Sequence, residues 1–206
     1  MATQEIPLTI PILMFSNVVF FPKTHLSVNI PQSFFDRIME RGLPESCFVG
    51  IVFTEEKQLD KPKALPIGCV GKVDHFHHLP CAHAVHLHLC GLKRFQVEEI
   101  TWSGSYNGHA SIELIEDNPG NLSPKGKKSL HELIRHDQLF EWTPELELLI
   151  KSGPSDETYL NLLCLGAKIS RMDKYFLLET GSLDQRCGRL LDLLRFKLDD
   201  IRYSSY

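Results

Sequence analysis

The sequence predicts an α+β fold, an antiparallel β-barrel over residues 1–118 followed by a helical bundle over 119–206. Before Asn118 the chain consists of short β-prone runs parted by Pro and Gly, the pattern of a closed or half-closed antiparallel barrel. Beyond Asn121 the apolar residues recur at helical spacing behind readable caps. The change of period falls on a turn-forming cluster, Asn118-Pro119-Gly120-Asn121.

The β-prone runs, in order, are Ile10–Phe15, Val18–Phe21, His25–Ile30, Phe48–Phe53, Gly68–Phe76, Ala84–Leu89, Arg94–Ile100 and Gly108–Ile115. One helix interrupts them, capped by Ser33, with Phe34, Phe35, Ile38 and Met39 on its apolar side and Gly42 as its stop. In the second half, Ser123-Pro124 and Thr143-Pro144 each open a helix, because a proline at the first helical position has no N–H to leave unpaired. Ser155 opens a third, Ser170 with Asp173 forms a capping box for a fourth, and Ser182 caps a long last helix. In that last helix Leu183, Arg186, Leu190, Leu193, Leu194 and Leu198 recur at helical spacing.

Composition narrows the function. With 43% hydrophobic and 23% charged residues, the chain can bury a core and is no disordered tract. The net charge of −4 provides no basic field for phosphate backbones, which predicts no nucleic-acid partner. No run approaches the ~20 apolar residues of a membrane span, and the first residues lack the positive start of a signal peptide, so the expectation is a cytoplasmic protein with no membrane partner. The six cysteines are scattered without a C-x-x-C, which predicts reduced thiols in the core.

Six of ten histidines fall at 75, 77, 78, 83, 86 and 88. With a hairpin turn at Leu79-Pro80-Cys81-Ala82, His86 and His88 share a face and His75 lies opposite His86. Three such imidazoles suit zinc, with His78 or Cys90 as additions. This is the alternative reading: a small metal-dependent enzyme or metal sensor with His75, His86 and His88 as ligands. Alternation accounts for the same residues without a metal, since Val85, Leu87 and Leu89 then point inward and the histidines face solvent. Neither H-E-x-x-H nor a carboxylate between Asp74 and Glu98 supports a ligand set, so the expectation is no metal and no cofactor.

Catalytic motifs are likewise missing: there is no phosphate loop, dinucleotide turn or G-x-S-x-G elbow. Ser155, before Asp156 and Glu157, reads as a helix cap rather than a nucleophile. No catalytic residue is assigned, and neither ATPase nor peptidase activity is expected. The aromatics Phe15, Phe20, Phe21, Phe34, Phe35, Phe48 and Phe53 crowd the first 53 residues, and any left exposed would make an apolar patch suited to extended peptide.

Three segments in order carry a family resemblance. IPLTIPIL at 6–13 followed by VVFFP at 18–22, then IGCVGKV at 67–73 followed by HLHLCGLKRFQV at 86–97, resemble the strands and the GxxRFxV signature of the amino-terminal substrate-recognition domain of Lon proteases. KYFLLE at 174–179 and RLLDLL at 189–194 resemble that family's helical segments, while Lys23 stands where its turn usually carries glycine. The resemblance implies a PUA-like pseudo-barrel with a helical bundle. It also implies a stand-alone, non-catalytic module that binds unfolded or degron-bearing protein, as an adaptor to a separate protease. Phe76, beside the histidine hairpin, and Trp102, near the Gly104 turn, are the predicted contact residues.

Overall fold

The computed structural model describes residues 5–39, 47–55, 64–79, 82–103, 107–116 and 120–203. Its elements divide into two compact units, 1–116 and 117–206. The predicted helix stop at Gly42, the Gly104 turn, the Pro80-Cys81 turn and the Asn118-Pro119 boundary lie outside the described residues.

The first unit holds strands β1 (Thr9–Phe15), β2 (His25–Pro31), β3 (Phe48–Thr54), β4 (Ala64–Leu79), β5 (Ala84–Trp102) and β6 (Asn107–Leu114), with helix α1 (Gln32–Met39) after β2. They form one mixed sheet in the order β2-β5-β4-β3-β1-β6, closed by a further pairing of β5 with β6. All pairs are antiparallel except β1 with β3, where Ile12 opposes Gly50 and Phe15 opposes Phe53 in parallel register. A sheet that closes on itself has few unpaired edges.

β5 makes the closure possible. Its first half pairs with β2, from His25 opposite Cys90 to Pro31 opposite Ala84, and its second half pairs with β6, from Phe95 opposite Leu114 to Trp102 opposite Gly108. β4 runs along its other side. The two runs predicted at Ala84–Leu89 and Arg94–Ile100 are therefore one 19-residue strand. Gly91 joins them where a neighbouring loop crosses at backbone distance. Gly91 N–H donates to Thr24 C=O at 2.8 Å, Lys23 N–H donates to Gly91 C=O at 2.9 Å, and a Cβ on Gly91 would meet Phe21 O at 2.3 Å.

That loop is the predicted strand Val18–Phe21, which forms no strand. Pro22, the left-handed Lys23 (φ 61°) and the Thr24 hydroxyl donating to Phe21 C=O at 2.7 Å turn the chain. Val19, Phe20 and Phe21 are nevertheless buried. Their apolarity serves the core rather than a ladder.

β3 is buried along its whole length because both of its faces are covered. Val49 and Ile51 join the cluster roofed by Phe34, Phe35 and Ile38 of α1, while Phe48 and Val52 join the one built around Phe95, Ile10, Ile12 and Ile112. The Phe95 ring occupies the space a side chain at Gly68 would need, with Phe95 Cζ 2.5 Å from the position of its Cβ. α1 begins at Gln32 rather than after Ser33, because β2 runs directly into it and Gln32 N–H already donates to His83 C=O at 3.0 Å.

The second unit holds α2 (Pro124–Ile134), α3 (Pro144–Lys151), α4 (Asp156–Gly166), α5 (Arg171–Glu179) and α6 (Leu183–Tyr203). The side chains of Ser123, Thr143, Ser155 and Ser170 accept from the N–H of Gly126, Leu146, Thr158 and Asp173. Ser182 accepts more distantly, at 3.5 Å, from Gln185 N–H. Leu130, Leu139, Leu160, Leu163, Leu177, Leu190 and Leu194 form the buried lining.

The crossing at Gly91 generates a paired prediction. Gly91→Ala should destabilise the barrel unit by about 2–4 kcal/mol, since its Cβ collides with backbone. Lys23→Gly should be neutral or stabilising by up to about 1 kcal/mol, because relief of left-handed strain is partly offset by glycine's entropy. Urea unfolding of both variants is the check.

Candidate functional site

An apolar feature presented to solvent lies on the helical unit. On α6, Arg189, Asp192, Leu193 and Phe196 stand at i, i+3, i+4 and i+7; on α5, Asp173, Phe176 and Leu177 stand at i, i+3 and i+4. Together with Glu179 they line a groove of about 660 Å³. Leu177 is fully buried and forms the floor, whereas Phe176 is 47% and Phe196 76% exposed. Two exposed phenylalanines flanking a leucine floor can take up apolar side chains of an extended or helical segment.

The groove's geometry depends on Arg186, one turn before Arg189 and only 2% exposed. Its Nε and Nη2 donate to Thr180 C=O at 3.2 and 2.7 Å, at the end of α5, and its Nη1 donates to Asn161 Oδ1 on α4 at 2.6 Å. Arg189 adds a second tie, Nη1 donating to Thr180 Oγ1 at 2.9 Å. Beside Arg186 sits Cys164, whose thiol burial pushes up to about 12 although the guanidinium pulls it the other way. Cys187 is likewise raised by burial to about 11. Both are core thiols outside any disulfide.

The histidine face is the second notable surface. The register places His75 opposite His88 and His77 opposite His86, not His75 opposite His86 as the sequence predicts. The innermost pair of the hairpin is Leu79 with Ala84, so the register lies two residues further along β5 than a turn at 79–82 gives, and it runs unbroken to His75. His75 and His88 stack with ring centroids 3.9 Å apart, and His86 meets His88 edge-on at 4.6 Å. Their Nδ1 atoms are engaged at the strands: His86 donates to Asn29 Oδ1 at 2.5 Å, His75 donates to Asp74 Oδ2 at 3.1 Å, and His88 pairs with Ser27 Oγ at 2.8 Å. Burial, then repulsion from His75, His86 and His77, holds His88 below the usual histidine value against the opposing pull of Asp74. Among the described residues no three His, Cys, Asp or Glu side chains are disposed to hold a metal ion.

Phe76 and Trp102 are both half-buried. The same register sets Phe76 opposite the inward Leu87, and its ring packs on Phe35 at 4.6 Å. Trp102 closes the β5–β6 ladder opposite Gly108 and lies against the cluster around Phe95. The early phenylalanines are core: Phe20, Phe21, Phe34, Phe35, Phe48 and Phe53 are buried, and Phe15 is partly so. The exposed ones lie in the helical half, where sequence reasoning placed no contact. A signal existed at Phe196, which stands two residues beyond the core Leu194 and hence on the opposite side of α6.

Comparison with known proteins rests on the same elements. The profile of the substrate-binding domain of ATP-dependent protease La (LON) matches residues 9–195. The chain belongs to the Lon substrate-binding domain family. It is 23% identical to the Lon protease of Cytophaga hutchinsonii over 94% of its length, and 26% identical to that of Anaeromyxobacter dehalogenans over 98%. In each case it spans 25% of the relative, so it corresponds to about a quarter of those proteases. Among solved structures, the Lon N-terminal domain protein from Xanthomonas campestris superposes with a TM-score of 0.66 at 17% identity, covering 89% of this chain and 97% of that one. The N-terminal domain of the Mycobacterium avium complex Lon protease gives 0.62 at 16% identity, covering 91% and 98%. The fold is that of a Lon N-terminal domain. No helix among the described residues is long and apolar enough to cross a membrane.

Two outcomes follow from this Lon-type chain's buried contacts. Arg186→Met should cost about 2–4 kcal/mol in denaturant unfolding of the helical unit, because buried Thr180 C=O and Asn161 Oδ1 lose charged donors. Arg186→Lys should recover only part of that, since an ammonium cannot reproduce the planar fork. Separately, a folded-state pKa for His88 below the ordinary 6.5 means that the unfolded chain binds the extra proton more readily. Stability should therefore be full above pH 6.5 and decline as pH falls through that value, and His88→Gln should flatten this dependence in thermal unfolding measured across pH.

Proposed function

We propose that the chain is a non-catalytic module that binds unfolded or degron-bearing polypeptides and presents them to a separate protease in the cytoplasm. The observation that carries this reading is the solvent-facing groove of Phe176, Leu177, Leu193 and Phe196 in a chain of the Lon substrate-binding family. Non-catalytic character is supported by the part of Lon that is matched, the substrate-binding domain, and by Ser155, whose hydroxyl accepts Thr158 N–H at 3.3 Å as a cap. A net charge of −4 supports a protein rather than a nucleic-acid ligand. The β and helical units are proposed to act as separate domains, 1–118 and 119–206, with contacts to the polypeptide centred on the second and Phe76 and Trp102 supporting the barrel.

Affinity should be weak, about micromolar, because an unfolded segment loses conformational entropy on docking and an open groove offers little area in return. Calorimetric titration with a reduced, unfolded model protein is the test. Phe176→Ala with Phe196→Ala should lower affinity at least about tenfold while the melting temperature stays within a few degrees, since exposed side chains contribute little to folding. Binding unaltered by the double substitution, or no binding to several unfolded proteins, contradicts the proposal.

A further inference from the structure

The outer face of the β4–β5 hairpin carries its histidines in cross-strand rows. His77 stands opposite His86, and Asn29 of β2 stands opposite His86 on the other side. Alternation sends these positions to solvent but asks only that they be polar. It does not account for the hydrogen bond. His86 Nδ1 lies 2.5 Å from Asn29 Oδ1, an atom that only accepts, so the ring proton sits on Nδ1 and the lone pair on Nε2. An acceptor on the far ring nitrogen is what orients a histidine as a metal ligand and raises its basicity. His77 is exposed and, among the described residues, its ring enters no hydrogen bond, so it can turn toward its partner. The two rings lie 4.8 Å apart with planes inclined by 36°, whereas His75 and His88 stack at 3.9 Å and 17°. Near-parallel rings send their lone pairs along parallel lines. Inclined ones share a line on which a single ion can sit.

We infer that His77 and His86 form a two-histidine site for a divalent metal ion of the zinc or nickel kind, bound through His86 Nε2 and a ring nitrogen of His77. Directly opposed residues start from Cβ atoms ~4.5–5.5 Å apart, so both imidazoles reach one ion without movement of the strands. Bonds of ~2.0–2.1 Å require the two nitrogens to approach to about 3 Å, which rotation of the exposed His77 ring supplies. Because no third side chain among the described residues converges with them, water fills the remaining positions. Imidazole donors favour zinc and nickel over magnesium or calcium, which take oxygen ligands. The bound ion ties β4 to β5, so the folded barrel unit gains stability by mass action.

The test is calorimetric titration of the full chain with nickel(II) and zinc(II) at about pH 7.5, where imidazole is neutral, with magnesium(II) as the hard-cation control. One nickel or zinc ion should bind per chain, and magnesium should not bind. His77→Ala and His86→Ala should each weaken binding at least about tenfold, because either change abolishes chelation. Asn29→Leu should weaken it about tenfold by releasing the His86 tautomer. His75→Ala, and separately His131→Ala with His136→Ala at exposed positions of the helical unit, should leave the affinity within about twofold. At about a hundred times the Kd, nickel should raise the melting temperature of the unaltered chain by about 5 °C or more, and that of His77→Ala by far less. His77 is exposed, so its loss leaves the metal-free melting temperature within a few degrees and keeps the comparison fair. Binding that survives both single substitutions, that falls as much in His75→Ala or in the His131 and His136 variant, or that leaves the melting temperature unmoved overturns the inference.

Discussion

A buried guanidinium organises the helical half of this molecule. Arg186 is nearly inaccessible, yet it donates to the last carbonyl region of α5 and to the amide of Asn161 on α4 from its own place near the start of α6. A cation is costly to remove from water and stays buried only when its donors are matched. Here the matching partners come from α4 and the end of α5, so the contact ties these two helices to α6 more tightly than leucine packing alone would. Because Thr180 directly follows α5, anchoring its carbonyl holds Phe176 and Leu177 at a fixed distance from Leu193 and Phe196. An open apolar groove with this form follows from that constraint.

The barrel unit solves a different problem with a comparable device. A 19-residue strand must serve β2 at one end and β6 at the other while the loop at 18–24 crosses it. Gly91 permits the crossing and Gly68 yields its side-chain space to Phe95, so the two glycines and one ring together close the sheet. Lys23, held at a positive φ in that loop, is the strained partner of the arrangement. The histidines outside the same sheet are a consequence of alternation, with the hairpin register bringing His75 against His88.

Much of this architecture was legible in residue order, and the misses have physical causes. Caps at Ser123, Thr143, Ser155 and Ser170 are short-range hydrogen bonds between neighbouring residues, so local pattern suffices to locate them. The run Val18–Phe21 has the composition of a strand but no partner for its backbone, and apolar content alone cannot distinguish a ladder from a plug. Gly91 reads as a break because glycine usually interrupts strands, whereas here it admits a distant loop. Arg186 falls on the apolar stripe of α6, which shows that it points inward but not that Thr180 and Asn161 await it. The same long-range ignorance hid the groove: the early phenylalanines were consumed by two core faces, while Phe176 and Phe196 become neighbours only once α5 and α6 pack.

The α5–α6 face is the proposed contact for polypeptide. Backbone amide spectra of the isotopically labelled full chain, titrated with a reduced unfolded protein, locate that contact directly. Shift changes concentrated over 173–196, with the histidine strands 25–31 and 84–90 undisturbed, are the expected result. Saturable changes confined to the barrel, with the helices unmoved, would contradict it.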